Sequence, residues 1–213
     1  SIEPETKKFI DAFEKTKGSV LIDKSHENNF ENREMDTLVS RIASRNNKME
    51  FLDNADELQS KLRATNSFVI ISPKKEFSKE EIDLIKDFSN KNGKLLLIGD
   101  PDRKSNINSI ANNFNIIFSD DYLYNLKEND GNFKFIFLKD FSKNDITKKL
   151  NKIALYTSCH IIPSEKGIAF TDKNTYASSL ETNKFAPVVF LNSILTLCDL
   201  TFFNQPFNSA FDN

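Results

Sequence analysis

The stretch 67-SFVIISPKKEFSKEEIDLIKDFSNKNGKLLLIGDPDR-103 decides the fold. Residues 68–71 and 95–98 are short runs of aliphatic and aromatic side chains, as expected for strands that are buried on both faces. Ser78 and Glu81 form a capping-box pattern, which predicts that a helix begins between the two runs. Two such strands joined by one helix must lie parallel, with a right-handed crossover. The stretch therefore predicts a parallel sheet covered by helices.

The same alternation of strand and helix extends on both sides of this unit. Apolar runs predict strands at residues 20–23, 49–52 and 116–118, and amphipathic spacing predicts helices over residues 4–17, 32–44, 55–62 and 107–114. Short joints between such elements are typical of a doubly wound α/β sheet.

The pattern changes after Phe118. It predicts a single turn at residues 122–124, a short helix over 146–150 and strands at 133–137, 153–162, 167–171, 186–191 and 194–199. Some of these strands should extend the sheet in an antiparallel sense. The sequence therefore predicts an α/β fold, a flavodoxin-like three-layer sandwich with a mainly parallel central sheet and extra strands in the C-terminal third. We expect residues 1–213 to form a single domain.

Composition excludes several classes of protein. The net charge is −2 and no basic stripe follows the chain, which argues against nucleic acid as a partner. No apolar run approaches the roughly 20 residues that cross a bilayer, so this segment has no predicted membrane span. The five glycines form neither the G-x-G-x-x-G nor the P-loop pattern, and we predict no cofactor.

The compartment is not fixed by the sequence. Two cysteines, Cys159 and Cys198, are too few for a disulfide framework and are expected to be buried thiols, which favours a reducing, cytoplasmic compartment. The chain resembles an excised piece, because it opens without a signal region and ends abruptly. A membrane-associated or envelope-associated parent protein therefore stays open.

A binding site is expected at the carboxyl edge of the sheet. If the first four strands take the order 2-1-3-4, the order reverses between strands one and three, and ligands of open α/β sheets bind beyond such a reversal. The loops that meet there supply the predicted ligand-binding residues His26, Glu27, Asn28, Ser72, Asp100, Arg103, Asp199 and Thr201.

Four pieces of this layout resemble a known family. They are 23-DKSHENNF-30, 72-SPKKEFSKEE-81, 96-LLIGDPDR-103 and 198-CDLTF-202, with Asp212-Asn213 at the end. In this order they are similar to class I glutamine amidotransferase-like domains, as found in auxiliary proteins of gliding-motility-type ABC transporters and at the N-terminus of an intraflagellar-transport subunit. The resemblance covers nearly the whole chain and implies the flavodoxin-like fold.

The chain departs from the true amidotransferases at the nucleophile. Those enzymes carry a cysteine at the turn after the strand that here leads into Asp100, and a carboxylate attacks an amide carbonyl poorly. Cys159 and His160 are neighbours on a predicted strand, so their side chains should point to opposite faces. Cys198 and Asp199 fail for the same reason. We therefore predict no catalytic residue, and a pseudoenzyme.

Individual residues allow a functional and a structural interpretation. His26 could act as a base, a ligand donor or a metal ligand, or it could only shape its loop. Asp100, Asp102, Asp199 and Asp212 could gather around Mg²⁺ or Ca²⁺, but their spacing matches no loop for either ion, and we predict no metal. Arg103 is expected to pair with Asp100 or Asp102.

Three functions follow as hypotheses. The first is a non-catalytic ligand-binding or protein-interaction module of a larger transport-associated or envelope-associated protein, whose partner is another protein or a small polar ligand. The second is a hydrolase that uses His26 with a carboxylate or a bound metal ion. The third is a structural scaffold in which the chain's own side chains fill the pocket and exposed phenylalanines, from Phe202, Phe203, Phe207 and Phe211, bind another chain.

Overall fold

The computed structural model describes residues 18–179, 184–205 and 208. The predicted helix over residues 4–17 lies outside this range, as do Phe207, Phe211 and Asp212. The strands are β1 (Ser19–Asp23), β2 (Lys48–Leu52), β3 (Ser67–Ile71), β4 (Lys94–Gly99), β5 (Ile117–Phe118), β6 (Leu123–Asn125), β7 (Ile136–Leu138), β8 (Asp140–Phe141), β9 (Ile153–Leu155), β10 (Ile161–Ile162), β11 (Gly167–Phe170), β12 (Thr175–Ala177), β13 (Val188–Leu191) and β14 (Ile194–Cys198). The helices are α1 (Asp36–Ser44), α2 (Leu58–Arg63), α3 (Lys79–Asn90) and α4 (Asn108–Ala111).

Eight strands form the central sheet, in the order β2-β1-β3-β4-β14-β13-β11-β8. The first five strands in this order pair in parallel, which confirms the predicted 2-1-3-4 order. Helix α3 begins at the predicted capping box, where the Ser78 side chain accepts the Glu81 N–H and the Glu81 side chain accepts the Ser78 N–H.

Both faces of the sheet are buried, as predicted. Alternate residues of β3 enter two separate cores: Phe68 and Ile70 pack on the side of α2 and α3, whereas Val69 and Ile71 pack on the side of α1. The α/β fold is therefore the expected sandwich of helix, sheet and helix. None of the described helices is long and apolar enough to cross a membrane.

The C-terminal third adds strands to the sheet on the far side of β4. Strand β14 pairs in parallel with β4, with Cys198 opposite Gly99. Strands β13, β11 and β8 then continue in the antiparallel sense, which confirms that expectation. The β13–β14 hairpin turns at Asn192, whose φ of 56° is one that asparagine tolerates.

Two predicted strands are placed differently. The strand predicted at residues 116–118 forms, but it pairs with β10 outside the central sheet, because β14 occupies the position beside β4. The strand predicted over residues 153–162 is divided into β9 and β10, because the Tyr156 N–H leaves the strand ladder and donates to Asp199 Oδ2.

Two other local predictions are wrong. Residues 122–124 are not an isolated turn, since β6 pairs with β12 there. Residues 145–149 form turns instead of the predicted helix. The Thr147 hydroxyl donates to Ser142 O at 2.7 Å, and Asn144 Oδ1 accepts the Ile146 N–H, so side chains replace the helical bonds.

Candidate functional site

His26 lies at the carboxyl end of β1, where it was predicted, but it is buried. Its Nδ1 atom is 2.8 Å from Asp23 Oδ2, and its Nε2 atom is 2.5 Å from Glu81 Oε2. The Phe77 ring stacks on the imidazole with 3.7 Å between centroids. Burial lowers the pKa of His26, but the Asp23 and Glu81 carboxylates raise it by more, so the net shift is upward. Both ring nitrogens therefore face carboxylates of the same chain, and His26 links β1 to α3.

The neighbouring predicted residues also bind the protein's own backbone. Asn28 Oδ1 accepts the His26 N–H, and Asn28 Nδ2 donates to Ile71 O, both at 3.0 Å. Glu27 is exposed, with a φ of 51° that shapes the turn. Ser72 is buried with a φ of 38°, and its N–H donates to Ile98 O. These contacts hold together the loops that follow the carboxyl ends of β1, β3 and β4.

Asp199 is completely buried at the end of β14. Its Oδ2 accepts the Tyr156 N–H at 2.9 Å, and its Oδ1 accepts both the N–H and the hydroxyl of Thr201. Burial raises the pKa of Asp199 to about 7, and the nearby charge of Asp100 contributes to this rise. Asp199 and Thr201 therefore tie the end of β14 to the segment after β9.

Asp100 lies beside Asp199, as the sequence predicted, and is also buried. Its Oδ1 accepts the Thr157 hydroxyl at 3.0 Å and the Asp102 N–H at 2.9 Å, and its Oδ2 accepts the Leu200 N–H at 3.3 Å. Burial raises the pKa of Asp100, against these hydrogen bonds. With three donors already on it, this carboxylate is poorly placed to act as a nucleophile.

Arg103 has a different partner from the one predicted. Its guanidinium forms a bidentate pair with Glu34, in which Nη1 lies 2.9 Å from Oε2, and it also donates to Asn29 O at 3.2 Å. The expected pairing with Asp100 or Asp102 is wrong, because the loop after β4 passes over the turn before α1. This pair raises the pKa of Arg103 and lowers that of Glu34.

A cavity of about 520 Å³ lies beside the end of β4. Its walls are mainly polar and come from Glu76, residues 99–101, Arg103, residues 105–109, Asn112, residues 118–120 and Cys159. Among the predicted site residues, Asp100 and Arg103 line this cavity, whereas His26, Asn28, Ser72 and Asp199 are not among its lining residues. The expected convergence of the loops is real, but the cavity lies to the β4 side of it.

A sulfur lies at this edge, contrary to expectation. Cys159 lines the cavity, and its Sγ atom is 2.6 Å from Cys198 Sγ. Burial strongly raises the pKa of the Cys198 thiol. The adjacent His160 ring contacts Ser119 instead of either thiol, so the two cysteines pair with each other and not with a base.

An aromatic face that was not predicted lies on the small β6–β12 sheet. The Tyr124 ring lies 5.9 Å from Tyr122, 6.0 Å from Phe133 and 5.7 Å from Tyr176, measured between centroids. Leu126 follows directly after the end of β6 and is 72% exposed. The alternation Tyr-Leu-Tyr-Asn-Leu over residues 122–126 was the available signal, since it places every second side chain on one face. We use the name aromatic face for Tyr122, Tyr124, Leu126, Phe133 and Tyr176.

Metal binding finds no support in the part of the chain that the structure describes. Within residues 18–179, 184–205 and 208, no group of three or more histidine, cysteine, aspartate or glutamate side chains is arranged to hold an ion. Asp100 and Asp199 are satisfied by N–H and hydroxyl donors, which compete with a cation for the same oxygens.

Comparison with known proteins agrees with the fold. No curated protein sequence matches the chain. A solved structure described as the mmIFT52 N-terminal domain superposes with a TM-score of 0.71 at 16% identity, covering 90% of this chain and 92% of that one. A putative ThuA-like protein from Bacteroides uniformis superposes with a TM-score of 0.55 at 12% identity, covering 89% and 85%. At these identities the superpositions establish the fold alone. The sequence model of the IFT52 GIFT domain matches residues 19–149, which is more than half of the chain, and the chain therefore belongs to the IFT52 GIFT domain family.

Proposed function

We propose that this domain is a protein-interaction module of a larger transport assembly of the intraflagellar type, and that it has lost amidotransferase chemistry. Its family is named for an intraflagellar-transport subunit, which supports the assembly. The amidotransferase-like character rests on the resemblance of its loops and on the fold. Asp100 stands where those enzymes place their cysteine, and it is buried under three hydrogen-bond donors. Hydrolysis of glutamine at this position has no nucleophile.

The aromatic face is the observation that supports this function best. Leu126, Phe133 and Tyr176 are large apolar side chains with 72%, 41% and 39% exposure. Tyrosine and phenylalanine are enriched in protein interfaces, since they offer large contact areas and lose little conformational entropy on binding. Their clustering around Tyr124 separates them from the scattered apolar residues that any surface exposes.

The chemistry of the face indicates the kind of partner. Three tyrosines supply hydroxyl groups around an apolar centre, and the Lys134 ammonium lies 4.2 Å from the centroid of the Tyr122 ring. A protein segment with aliphatic side chains flanked by carbonyl or carboxylate oxygens would satisfy both features. We therefore identify the partner as another subunit of the assembly that presents such a segment.

Co-elution with purified partner subunits tests the proposal. The double variant Leu126→Ser/Tyr176→Ser removes two exposed side chains of the face, and we expect at least a tenfold loss of affinity because central interface residues contribute about 2 kcal/mol or more each. Ile117→Ser/Ile162→Ser is the matched control, since these side chains are 44% and 42% exposed and face each other across β5 and β10. Equal binding by both variants and the wild type would contradict the proposal.

The two other hypotheses have less support. A hydrolase that uses His26 needs a free ring nitrogen, but both nitrogens lie against carboxylates. A pure scaffold predicts a filled pocket, yet about 520 Å³ stays open beside Asp100. Phe202 and Phe203 are half-buried against the second core and do not form the exposed patch that the scaffold hypothesis expects.

A further inference from the structure

Ser119, His160 and Asp121 form a side-chain cluster beside the cavity. Ser119 Oγ lies 2.8 Å from His160 Nε2, and His160 Nδ1 lies 3.0 Å from Asp121 Oδ2. The Ser119 N–H also donates to His160 O at 3.0 Å, next to the β5–β10 pairing. Backbone bonding therefore fixes the serine against the imidazole, with the carboxylate behind it.

We propose that this cluster is a serine-hydrolase triad, with Ser119 as the nucleophile, His160 as the base and Asp121 as the positioning residue. A hydroxyl, an imidazole and a carboxylate in this sequence of contacts are the groups that acyl transfer uses, whatever the fold that presents them. The site is distinct from the loops around His26 and goes beyond the proposed interaction function.

Burial increases from the serine to the carboxylate, as such a site needs. The Asp121 side chain is fully buried, the His160 side chain is 12% exposed, and Ser119 is half-buried and lines the cavity. A substrate in the cavity can therefore reach the hydroxyl, while the carboxylate is shielded from water. Shielding strengthens its electrostatic interaction with an imidazolium.

Two of the buried side-chain atoms without a hydrogen-bond partner among the described residues belong to this cluster. His160 Nδ1 approaches Asp121 within ion-pair distance without hydrogen-bond alignment, and Asp121 Oδ1 has no donor. The other oxygen, Oδ2, accepts the Ser179 hydroxyl at 3.0 Å. A small rotation of the ring or the carboxylate would satisfy both atoms at once. Catalytic hydrogen bonds commonly tighten in this way when substrate binds.

The reaction is hydrolysis of an ester in two balanced steps. Ser119 Oγ adds to the carbonyl carbon while His160 Nε2 takes the hydroxyl proton, and collapse of the adduct transfers that proton to the departing alcohol. Water then attacks the acyl-serine with the same base, which releases the carboxylic acid and restores the serine. The Asn112 side chain lines the same cavity and is the candidate donor to the oxyanion.

The cavity defines the class of substrate. A volume of about 520 Å³ admits a small molecule, and the lining carries Arg103, Asp120 and several amide and hydroxyl groups. These groups suit a short acyl chain esterified to a polar alcohol and offer little apolar surface to a long lipid chain. The deeper apolar groove beside Phe202 and Phe203 belongs to another part of the fold.

Labelling of the full chain with a fluorophosphonate probe tests the proposal, with the adduct located by mass spectrometry. We expect a stoichiometric adduct on Ser119 that Ser119→Ala abolishes and Ser105→Ala preserves, since Ser105 lines the same cavity without a histidine contact. An unlabelled folded wild type, or equal labelling of Ser119→Ala, would overturn the triad.

Kinetics with p-nitrophenyl acetate separate the three roles. His160→Gln keeps a polar side chain of similar size and should lower kcat/KM at least about 100-fold, the range expected for loss of a general base. Asp121→Asn should lower kcat with little change in KM and shift the pH profile, because it acts through the imidazole. Variants that lower the denaturation temperature yet keep wild-type kinetics would assign the cluster a structural role and overturn the proposal. Loss of esterase activity with intact partner binding would leave the interaction function standing.

Discussion

The two histidines of the chain lie in two contrasting regions. His26 lies in the regular parallel half of the sheet, where two carboxylates and a stacked phenylalanine enclose it. His160 lies between short irregular strands, with one ring nitrogen on a serine that borders a cavity. In the regular region the histidine holds elements together, because carboxylates of the same chain lie against both of its ring nitrogens. In the irregular region the histidine contacts a serine that lines a cavity, and this arrangement allows chemistry on a bound molecule.

Removal of each imidazole ring should give the largest difference in stability between the two regions. His26→Ala leaves the buried Asp23 and the half-buried Glu81 without a counter-ion, and loss of one member of a buried ion pair costs about 3–5 kcal/mol. His160→Ala removes the hydrogen bond to Ser119 and the contact with Asp121, whose Oδ2 keeps the Ser179 hydroxyl as a donor, and should cost about 1–2 kcal/mol. Urea denaturation of both variants measures the difference. Equal losses would show that the two regions do not differ in this way.

The pH dependence of stability should identify the His26 ion pairs. Because folding raises the pKa of His26, the stabilisation is fully present below the unfolded value of about 6.5 and is lost as pH rises through the folded pKa. We expect the free energy of unfolding to fall over this window in the wild type. His26→Gln cannot titrate, so its curve should be flat there, and an unchanged slope would contradict the assignment.

Asp199 should act in a lower window. Its folded pKa of about 7 lies above the ordinary value of 3.8, so the native state binds the proton more tightly and stability declines as pH rises from about 4 to 7. The decline should be about 3–4 kcal/mol over this window. Denaturation curves of Asp199→Asn should lose this slope, whatever the substitution does to stability at pH 4. A slope that survives in the variant would place the titrating group elsewhere.

The Arg103–Glu34 pair should give the smallest effect. The two side chains are 25% and 18% exposed, so solvent screens their attraction. A double-mutant cycle with Arg103→Ala and Glu34→Ala should yield a coupling energy of about 1 kcal/mol. Lys79 and Asp83, an exposed pair on α3, are the matched control and should couple more weakly, because solvent screens them more fully. Coupling no larger than the control's would show that the pair does not fix the loop after β4.

Local sequence patterns predicted the parallel half of the fold well. Residues 67–103 contain every signal that their structure uses: a buried run, a capping box, an amphipathic helix and a second run. The helix predicted over 146–150 does not form. Its apolar spacing suits a helix, but the Asn144 and Thr147 side chains bond the local backbone instead.

The candidate site depended on contacts that no local pattern shows. Glu81 was recognised as a capping residue, but the same carboxylate also reaches His26 from another element. His160 was assigned to a long strand, and the strand is interrupted because Asp199, far along the chain, takes the Tyr156 N–H. The sequence therefore located the edge of the sheet where loops converge, and the tertiary hydrogen bonds decided which residues border open space.

The pairing of β4 with β14 has a consequence for biosynthesis. Strand β4 is complete at Gly99, but its second neighbour ends only at Cys198. While the ribosome makes the intervening segment, one side of a strongly apolar strand offers free backbone groups that can join a foreign strand. A nascent chain stalled before residue 194 should therefore be prone to aggregation, and chaperones should associate with it until the last strand emerges.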